Sequence, residues 1–289
     1  ILVDFKQFLT EQDWILGKYW EVFGVDSITG NWDYKESALF GYVSGKVIES
    51  YYSFFLSSSD KVVAQFHEWQ TGAGVLYLKY KKLPIATVFT THATVLGRCL
   101  AGNNMPLYDS MESYNAEDKA RQFNVMAMYS LERKSAENAD VFTTVSEITA
   151  RECEHFLGRP VDVVTPNGFE NSFTPSTDEE YAQKRDAARS RLCQVAAAMS
   201  GTEVAEDAIL IGIGGRYEYR NKGIDVFIDA VGKIKDSDFR GKQIHAFIMI
   251  PSGHNGADRD LVAKLSGNGS ADYRTQVSHY LMNPEYDQI

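Results

Sequence analysis

The sequence predicts an α/β fold built on parallel β-sheets. Short runs rich in Val, Ile, Phe and Thr alternate along the chain with longer stretches of helical character, and this alternation is typical of strands joined by helical crossovers. The short runs are also nearly continuous in apolar residues, which is expected where both faces of a sheet are covered.

The predicted elements follow one another in a regular order. The strands are Lys61–Phe66, Ile85–Thr91, Asp140–Val145, Val161–Thr165, Ala208–Ile213 and Gln243–Ile250. The helices are Ala38–Phe55, Gly74–Lys81, Glu117–Asn138, Glu147–Leu157 and Gly223–Ile234. Thr165-Pro166-Asn167-Gly168 is a turn signal, because Pro fixes φ and Asn-Gly tolerates positive φ.

A further helix is predicted after this turn. Ser176-Thr177-Asp178-Glu179 resembles a capping box, and Ala188, Leu192, Val195 and Met199 form a helical stripe that Gly201 would end. We therefore place a domain boundary across this region, with an N-terminal domain at 1–172, a helical linker at 173–204 and the start of a second domain at 205–289.

The two ends of the chain favour a piece of a longer protein. Ile1-Leu2-Val3-Asp4 lacks Met and a basic region, and it is interpreted as a strand entered midway. Near the other end, Pro251–Gly269 is predicted to be a mobile loop and Asp272–Leu281 the last helix. Only two strands then follow the linker helix, too few for an independent parallel domain.

Composition excludes several classes of partner. The 289 residues carry a formal net charge of -10, and such a surface repels nucleic acid and acidic membranes. No run approaches the roughly 20 apolar residues of a membrane helix. Three cysteines far apart, Cys99, Cys153 and Cys193, favour free thiols in a reducing compartment, so we expect a cytoplasmic protein.

The stretch from Ile211 to Gly223 carries the clearest chemical signal. A predicted strand runs into glycines that include Gly215, and Arg216 and Lys222 bracket the turn that opens the next helix. Glycines allow close approach of the backbone, and a helix N-terminus favours negative charge. The predicted ligand is a phosphate or diphosphate, and the alternative is a solvated surface loop.

Two other phosphate motifs do not fit the sequence. Tyr217 stands where a dinucleotide fingerprint needs its third glycine, which disfavours a nicotinamide-dependent dehydrogenase. The stretch from Gly41 to Lys46 has the wrong spacing for a P-loop, and Val47 follows its lysine.

Polar residues also follow two of the predicted strands. His67 and Glu68 come after the first strand, and His92 and Arg98 come after the second. In an open parallel sheet, ligands bind beyond the carboxyl ends of the strands. A zinc helix would need a second His one turn after His67, so no metal site is predicted. The alternative for each histidine is a hydrogen-bonding role at a strand end.

Taken together, the motifs closely resemble the eukaryotic-type glycogen synthase family over most of the chain, from Ile1 to about Ile250. They occur in this order: Phe66-His67-Glu68-Trp69, Phe89–Arg98, Val141–Ser146, Val164-Thr165-Pro166-Asn167-Gly168 and Gly215–Gly223. The resemblance implies a GT-B glycosyltransferase with two Rossmann-like domains facing a cleft, both incomplete here. It also implies a retaining transfer of glucose from a nucleotide diphosphate glucose, usually UDP-glucose, to the non-reducing end of an α-1,4-glucan.

The resemblance also assigns roles to residues. Arg216 and Lys222 match the pair that holds the donor diphosphate, and Arg98 matches a further phosphate-facing cation from the opposite domain. His92 matches the histidine beside the transferred glucose. His67, Glu68 and Asn167 match residues that line the cleft, and Gly215 belongs to the donor motif. No cofactor is implied, and homo-oligomers are possible.

Some family signatures are missing from this sequence. The glycine-rich Lys-Val-Gly-Gly loop, the segment with two glutamates and the arginine-rich regulatory helix do not occur. We therefore expect the chain alone to be inactive and the full-length protein to be an active synthase. The competing interpretations are another retaining GT-B glycosyltransferase and a non-catalytic module that binds a nucleotide sugar or a glucan.

Overall fold

The structure, a computed structural model, describes residues 2–235 and 238–289. The chain divides into two compact units, Ile1–Gly168 and Phe169–Ile289. Each unit is an α/β assembly that contains parallel strands, which confirms the predicted fold class. The assignment of domains at 1–172, 173–204 and 205–289 stays a prediction.

The first unit is organised around one parallel sheet in the order β1-β2-β3-β4. Its strands are β1 (Val63–His67), β2 (Ala86–Thr91), β3 (Val141–Thr144) and β4 (Val163–Val164). All four lie within runs predicted from the sequence or extend them by one residue. Because the strands are parallel, their carboxyl ends share one edge of the sheet.

Helices enclose this sheet. They are α1 (Gln12–Phe23), α2 (Trp32–Phe55), α3 (Glu68–Lys81), α4 (Val95–Gly102), α5 (Leu107–Ser110), α6 (Ala116–Gln122), α7 (Met126–Asn138) and α8 (Glu147–Glu152). Short 3₁₀ turns cover Lys6–Glu11 and Met111–Ser113, and a π turn, Cys153–Leu157, extends α8. The largest fully buried side chains lie in this unit, among them Phe89 and Phe142 of the central strands.

Glycines let α2 and α3 approach closely. A Cβ added to Gly45 would lie 2.7 Å from the Tyr77 ring, and one added to Gly74 would lie 2.9 Å from the carbonyl oxygen of Gly41. Real Cβ atoms do not tolerate such separations, so these positions have room only for hydrogen. The result is a tight helix pair, of which α3 packs against β1 and β2.

Several predicted boundaries in the first unit are wrong. The helix predicted over Glu117–Asn138 is two helices, because Asn124 takes a positive φ of 57° between them. α2 begins at Trp32 because Asn31 caps it, its side chain accepting a hydrogen bond from the Tyr34 amide at 3.0 Å. Leu2–Asp4 do not form the strand predicted there, and Ile1 lies outside the described residues. The side chains of the edge strand β1 alternate between exposed and buried, so one face of the sheet is uncovered at this strand.

The second unit holds two small sheets. The helices are α9 (Asp178–Ser200), α10 (Ile224–Gly232) and α11 (Arg259–Leu265). The strands are β5 (Ile209–Gly214), β6 (Ile244–Met249), β7 (His254–Ala257) and β8 (His279–Leu281). The 3₁₀ turns are Asn171–Phe173, Asp238–Gly241 and Pro284–Tyr286. β5 pairs with β6 in parallel, and β7 pairs with β8 antiparallel.

The cap of α9 differs by one residue from the prediction. Thr177, not Ser176, is the N-cap residue, and its hydroxyl accepts a hydrogen bond from the Glu180 amide at 3.1 Å. Glu180 in turn accepts from the Ser176 amide at 2.9 Å. Gly201 ends the helix with a φ of 69°, as predicted.

Two predictions near the C-terminus are wrong. Pro251–Gly269 is not an irregular loop, because it contains β7 and α11. Its polar residues perform structural roles, since Asp258 caps α11 by accepting from the Leu261 amide at 2.9 Å. The helix predicted over Asp272–Leu281 is replaced by β8. Four strands therefore follow α9 where two were predicted. None of the helices described is both long and apolar enough to cross a membrane.

Candidate functional site

The carboxyl ends of β1 and β2 bring two predicted site histidines together. His67 is the last residue of β1, and His92 directly follows β2. His67 Nδ1 lies 3.0 Å from His92 Nε2, a hydrogen-bonding distance. In such a contact one ring nitrogen carries the proton and the other accepts it. The carboxyl end of the sheet therefore presents a hydrogen-bonded pair of imidazoles.

Glu68 ties this pair to the predicted cation. Its Oε1 accepts a hydrogen bond from the His92 amide at 3.1 Å and lies 3.6 Å from Arg98 Nη2. Glu68 adopts a positive φ of 62° at the start of α3. Such a conformation is unfavourable for a residue other than glycine and is frequent at functional sites. His67, Glu68, His92 and Arg98 thus form one connected group.

Arg98 remains accessible within this group. It lies on the first turns of α4, and 53% of its side-chain surface is exposed, against 20% for its partner Glu68. An exposed guanidinium held at one side by a carboxylate keeps further donors for an anion. The position suits the phosphate-facing role that the family resemblance implies, and that role stays a prediction.

Buried carboxylates lie beneath the histidine pair, and the sequence analysis did not identify them. Glu132 of α7 accepts from the Val95 amide at 2.9 Å and from the Thr91 hydroxyl at 3.3 Å. Glu152 of α8 accepts from the Thr94 hydroxyl at 2.8 Å. The segment that carries His92 is therefore held from below by two acidic side chains.

The environment of Glu132 favours its neutral form. Its side chain is fully buried, and burial raises the pKa of the carboxyl to about 8. The nearby Glu68 and Glu152 carboxylates also raise this pKa, whereas the hydrogen bonds from Val95 and Thr91 lower it. Glu132 and Glu152 are both buried, and two neighbouring buried carboxyl groups are more easily accommodated when one of them keeps its proton.

The nearby thiols are not activated. Burial raises the pKa of both Cys99 and Cys153, and the Glu132 carboxylate raises each of them further. A nucleophilic cysteine needs a lowered pKa. Neither thiol has the environment of a catalytic nucleophile.

Asn167 lies apart from the histidine pair. It is exposed and follows β4, the edge strand on the far side of the sheet from β1. Thr165, two residues earlier, still donates its amide to the Thr144 carbonyl at 2.7 Å. Asn167 thus lies beyond the carboxyl ends of the strands, as His67 does, but at the opposite side of the sheet. Its role in the site stays a prediction.

In the second unit, the predicted diphosphate loop joins β5 to α10. A Cβ added to Gly215 would lie 3.7 Å from Cγ and Cδ of Lys222, so the lysine stem packs over the start of the loop. Arg216 Nη2 lies 2.9 Å from Glu218 Oε1, with 68% of the arginine side chain exposed. Lys222 is exposed and has no ion-pair partner within 4.0 Å among the described residues. The loop therefore presents two accessible cations.

The loop geometry also explains the two ends of this segment. The Lys222 amide donates to the Glu218 carbonyl at 2.9 Å, and Gly223 adopts a φ of 67° as the N-cap of α10. Tyr217 fills the position of the missing fingerprint glycine, and its hydroxyl donates to Asp287 Oδ1 at 2.6 Å. A bulky, hydrogen-bonded side chain therefore stands where the dinucleotide pattern has glycine.

Within residues 2–235 and 238–289, no three His, Cys, Asp or Glu side chains group closely enough to hold a metal ion. The expectation that no metal or cofactor takes part stays a prediction. The chemical groups that these residues offer are two imidazoles, two buried carboxyl groups and exposed cations.

The chain is similar in sequence to known proteins. The profile of the glycogen synthase family matches residues 1–265. The chain is 34% identical over 237 residues to the liver glycogen [starch] synthase of Rattus norvegicus, a match that covers 81% of this chain and 33% of the relative. Glycogen [starch] synthase isoform 2 of Saccharomyces cerevisiae is 34% identical over 251 residues, covering 83% of this chain and 34% of the relative. The glycogen [starch] synthase of Dictyostelium discoideum is 33% identical over 247 residues, covering 83% of this chain and 28% of the relative. The chain spans about a third of the length of these relatives.

Proposed function

The chain belongs to the glycogen synthase family, and from that premise we propose that the full-length protein is a retaining glycosyltransferase. It would transfer glucose from a nucleotide diphosphate glucose, UDP-glucose by preference, to the non-reducing end of an α-1,4-glucan. The observation that carries this proposal is the pair of accessible cations, Arg216 and Lys222, on a glycine-rich strand-to-helix loop.

The two cations fit the departure of a nucleoside diphosphate. As the glycosidic bond to the donor breaks, negative charge grows on the diphosphate oxygens. A guanidinium provides a planar fork of donors, and an ammonium provides a compact charge. Arg216 and Lys222 would stabilise the leaving group through these contacts, with the amides at the start of α10 close by in sequence.

The histidine pair fits the sugar end of the reaction. His92 would lie beside the transferred glucose, where its ring can donate to or accept from a hydroxyl group. His67 fixes the orientation of the His92 ring through the 3.0 Å contact between the two imidazoles, and Glu68 fixes the backbone of His92 by accepting from its amide. Arg98 and Asn167 would complete the contacts to the substrates. A ring fixed in this way would hold the glucose in place while charge develops at the anomeric carbon.

The decisive experiment is glucose transfer by the full-length protein. Incorporation of labelled glucose from UDP-glucose and from ADP-glucose into glycogen is measured for the wild type, Arg216→Ala and Arg220→Ala. Arg220 is exposed and belongs to the same loop but not to the proposed site, so it is the matched control. We expect Arg216→Ala to lower kcat about 10²–10³-fold, and Arg220→Ala to stay near the wild type. Equal rates for all three proteins would contradict the proposal.

The same assay separates the competing functions. Another retaining glycosyltransferase of this architecture would use fructose or glucose 6-phosphate as acceptor and leave the glucan unchanged. A sensor would bind the nucleotide sugar in calorimetry, lose that binding in Arg216→Ala, and show no turnover. The 289-residue chain by itself is expected to be inactive, since it spans about a third of its relatives.

We propose the cytoplasm as the compartment, because Cys99, Cys153 and Cys193 are all free thiols, as expected where thiols are kept reduced. Cell fractionation tests this assignment directly. The proposed partners are the nucleotide sugar and the glucan, without nucleic acid or membrane, and a homo-oligomer would show in the sedimentation of the full-length protein.

A further inference from the structure

We propose that Glu132 is a positioning residue for glucosyl transfer, acting with Glu152 to fix the segment Thr91–Arg98 that carries His92 and Arg98. The inference rests on the proposed function of those two residues. It concerns α7 and α8, elements that contribute no side chain to the proposed contacts with substrate.

Glu132 holds the segment on both sides of His92. Its Oε1 contacts the Thr91 hydroxyl at 3.3 Å, and its Oε2 accepts from the Val95 amide at 2.9 Å. Thr91 precedes His92 by one residue and Val95 follows it by three. A single carboxyl group therefore spans the turn on which the His92 backbone sits.

Glu152 adds a second point of attachment. Its Oε2 accepts from Thr94, the N-cap residue of α4, and its Oε1 accepts from Tyr108 at 2.8 Å. A Cβ placed on Gly97 would overlap Glu152 Oε2, so the helix that carries Arg98 sits directly against this carboxylate. The start of α4 cannot shift without breaking one of these contacts.

The groups that face Glu132 decide its charge. They are Thr91 of β2, Cys99 of α4, Glu68 at the start of α3, and Glu152 with Cys153 on α8 and its π turn. No cation pairs with Glu132 within 4.0 Å in the part of the chain that the structure describes. The fully buried carboxyl is therefore neutral at pH 7, and an amide is its closest isostere. A glutamine could accept from Val95 and donate to the Thr91 hydroxyl.

Glucosyl transfer depends on this support, because the position of the His92 ring relative to the glucose controls the rate of the reaction. A displacement of about 1 Å at a reacting group, caused by a change elsewhere, can lower the rate roughly 10²-fold. Removal of the Glu132 carboxyl leaves the Val95 amide without its partner and opens space under the turn. The expected consequence is mainly a lower kcat, because the His92 ring is displaced, with a smaller rise in the KM for the donor through Arg98, since Arg216 and Lys222 are untouched.

The test compares Glu132→Ala, Glu132→Gln and Ser135→Ala in the full-length protein. Ser135 is buried on α7 one turn away and bonds only within the helix, so it is the control. At pH 7 we expect Glu132→Ala to lower kcat about 10²-fold, Glu132→Gln to restore most of the rate, and Ser135→Ala to remain near the wild type. Above pH 8 the wild-type rate should fall as Glu132 ionises, and the rate of Glu132→Gln should not. An unchanged kcat in Glu132→Ala, or no rescue by glutamine, would overturn the proposal.

Hydrogen–deuterium exchange gives an answer that does not depend on turnover. Amides in Val95–Arg98 should exchange faster in Glu132→Ala than in the wild type and at the wild-type rate in Glu132→Gln. If the wild type transfers no glucose, the proposed function fails, while faster exchange confined to this segment still supports the positioning role. Wild-type protection of the segment in Glu132→Ala would refute that role even in an active enzyme.

Discussion

The two groups of predicted site residues differ in how they are held. In the first unit, His92 and Arg98 sit on a segment anchored by Glu132, which is 0% exposed, and by Glu152, which is 4% exposed. In the second unit, Arg216 belongs to a loop, is 68% exposed, and among the described residues forms an ion pair with Glu218 alone, two residues away. His92 and Arg98 thus lie on a segment fixed by long-range buried contacts, whereas the ion pair of Arg216 itself is local, although Tyr217 of the same loop reaches Asp287.

The first unit also has the better buried core of the two. The largest fully buried side chains of the described residues all lie before Gly168. No residue of β5 or β6 is fully buried, although both strands are apolar. The buried hydrophobic residues of the second unit are Ala196, Ala198, Ala208, Ile224 and Leu261. Rigid placement should therefore matter most for the histidine pair, and accessible charge most for the loop.

The largest effect predicted by this comparison is on turnover. Lys222→Ala removes an exposed cation from the loop, so kcat of the full-length protein should fall about 10²–10³-fold while the melting temperature stays unchanged. Lys233→Ala, an exposed residue just after α10, is the control. A lower melting temperature in Lys222→Ala would show that the lysine stem stabilises the loop. That result would contradict the assignment of Lys222 as a residue that contributes charge and not stability.

The next largest effect is on the pH dependence of the free energy of unfolding. Glu132 has a pKa of about 8 in the folded protein, against an ordinary value of 4.5. Between these pH values the folded state keeps a proton that the unfolded state releases. The contribution of Glu132 to the free energy of unfolding is therefore full below about pH 4.5 and is lost as the pH rises through about 8.

This loss can be measured in the first unit alone. Urea unfolding is followed by hydrogen exchange of peptides from α7 at several pH values, for the wild type and Glu132→Gln. The substitution should flatten the decline in unfolding free energy between pH 4.5 and 8. Parallel curves for the two proteins would mean that Glu132 is ionised in the folded state.

A smaller effect is expected from adding one methyl group to each region. Gly97→Ala should destabilise the first unit by about 1–3 kcal/mol, because the new Cβ overlaps Glu152. Gly102→Ala on the same helix meets nothing within 4 Å and serves as the control. Gly215→Ala should change the unfolding free energy by no more than about 0.5 kcal/mol, since its Cβ meets only the Lys222 stem at 3.7 Å. Equal losses at positions 97 and 215, measured by urea unfolding, would erase the contrast.

The smallest effect is expected at the exposed ion pair. Glu218→Gln removes the partner of Arg216, but exposed pairs contribute only about 0–1 kcal/mol. Urea unfolding of the second unit should detect a change of about 0.5 kcal/mol or less. A loss several times larger would mean that the loop is anchored as firmly as the histidine segment.

Local sequence signals predicted much of this molecule. Short apolar runs located β1 to β6, because a buried parallel strand needs little beyond a β-prone apolar sequence. The sequence placed His67 and His92 at the carboxyl ends of two predicted strands, and the structure shows that these strands are neighbours. The break at Asn124 was missed because an asparagine with positive φ has no strong local pattern.

The remaining features depend on contacts between distant residues. β8 was missed because its partner β7 lies more than twenty residues earlier, inside a segment whose glycines and aspartates indicated a loop. Glu132 and Glu152 were missed because each sits in an ordinary helical stretch, and only the fold places them under Thr91 and Thr94. The ion pair of Arg216 with Glu218 joins residues only two positions apart, but the sequence alone does not show that the turn brings their side chains together.

The most direct test of the account is calorimetric titration of the full-length protein with UDP and with UMP. If the loop holds the diphosphate, Arg216→Ala should weaken UDP binding roughly 10–100-fold, the loss of a hydrogen bond to a charged group, and leave UMP binding within about twofold of the wild type. An equal loss for both nucleotides, or no loss for either, would contradict the assignment of Arg216 to the donor diphosphate.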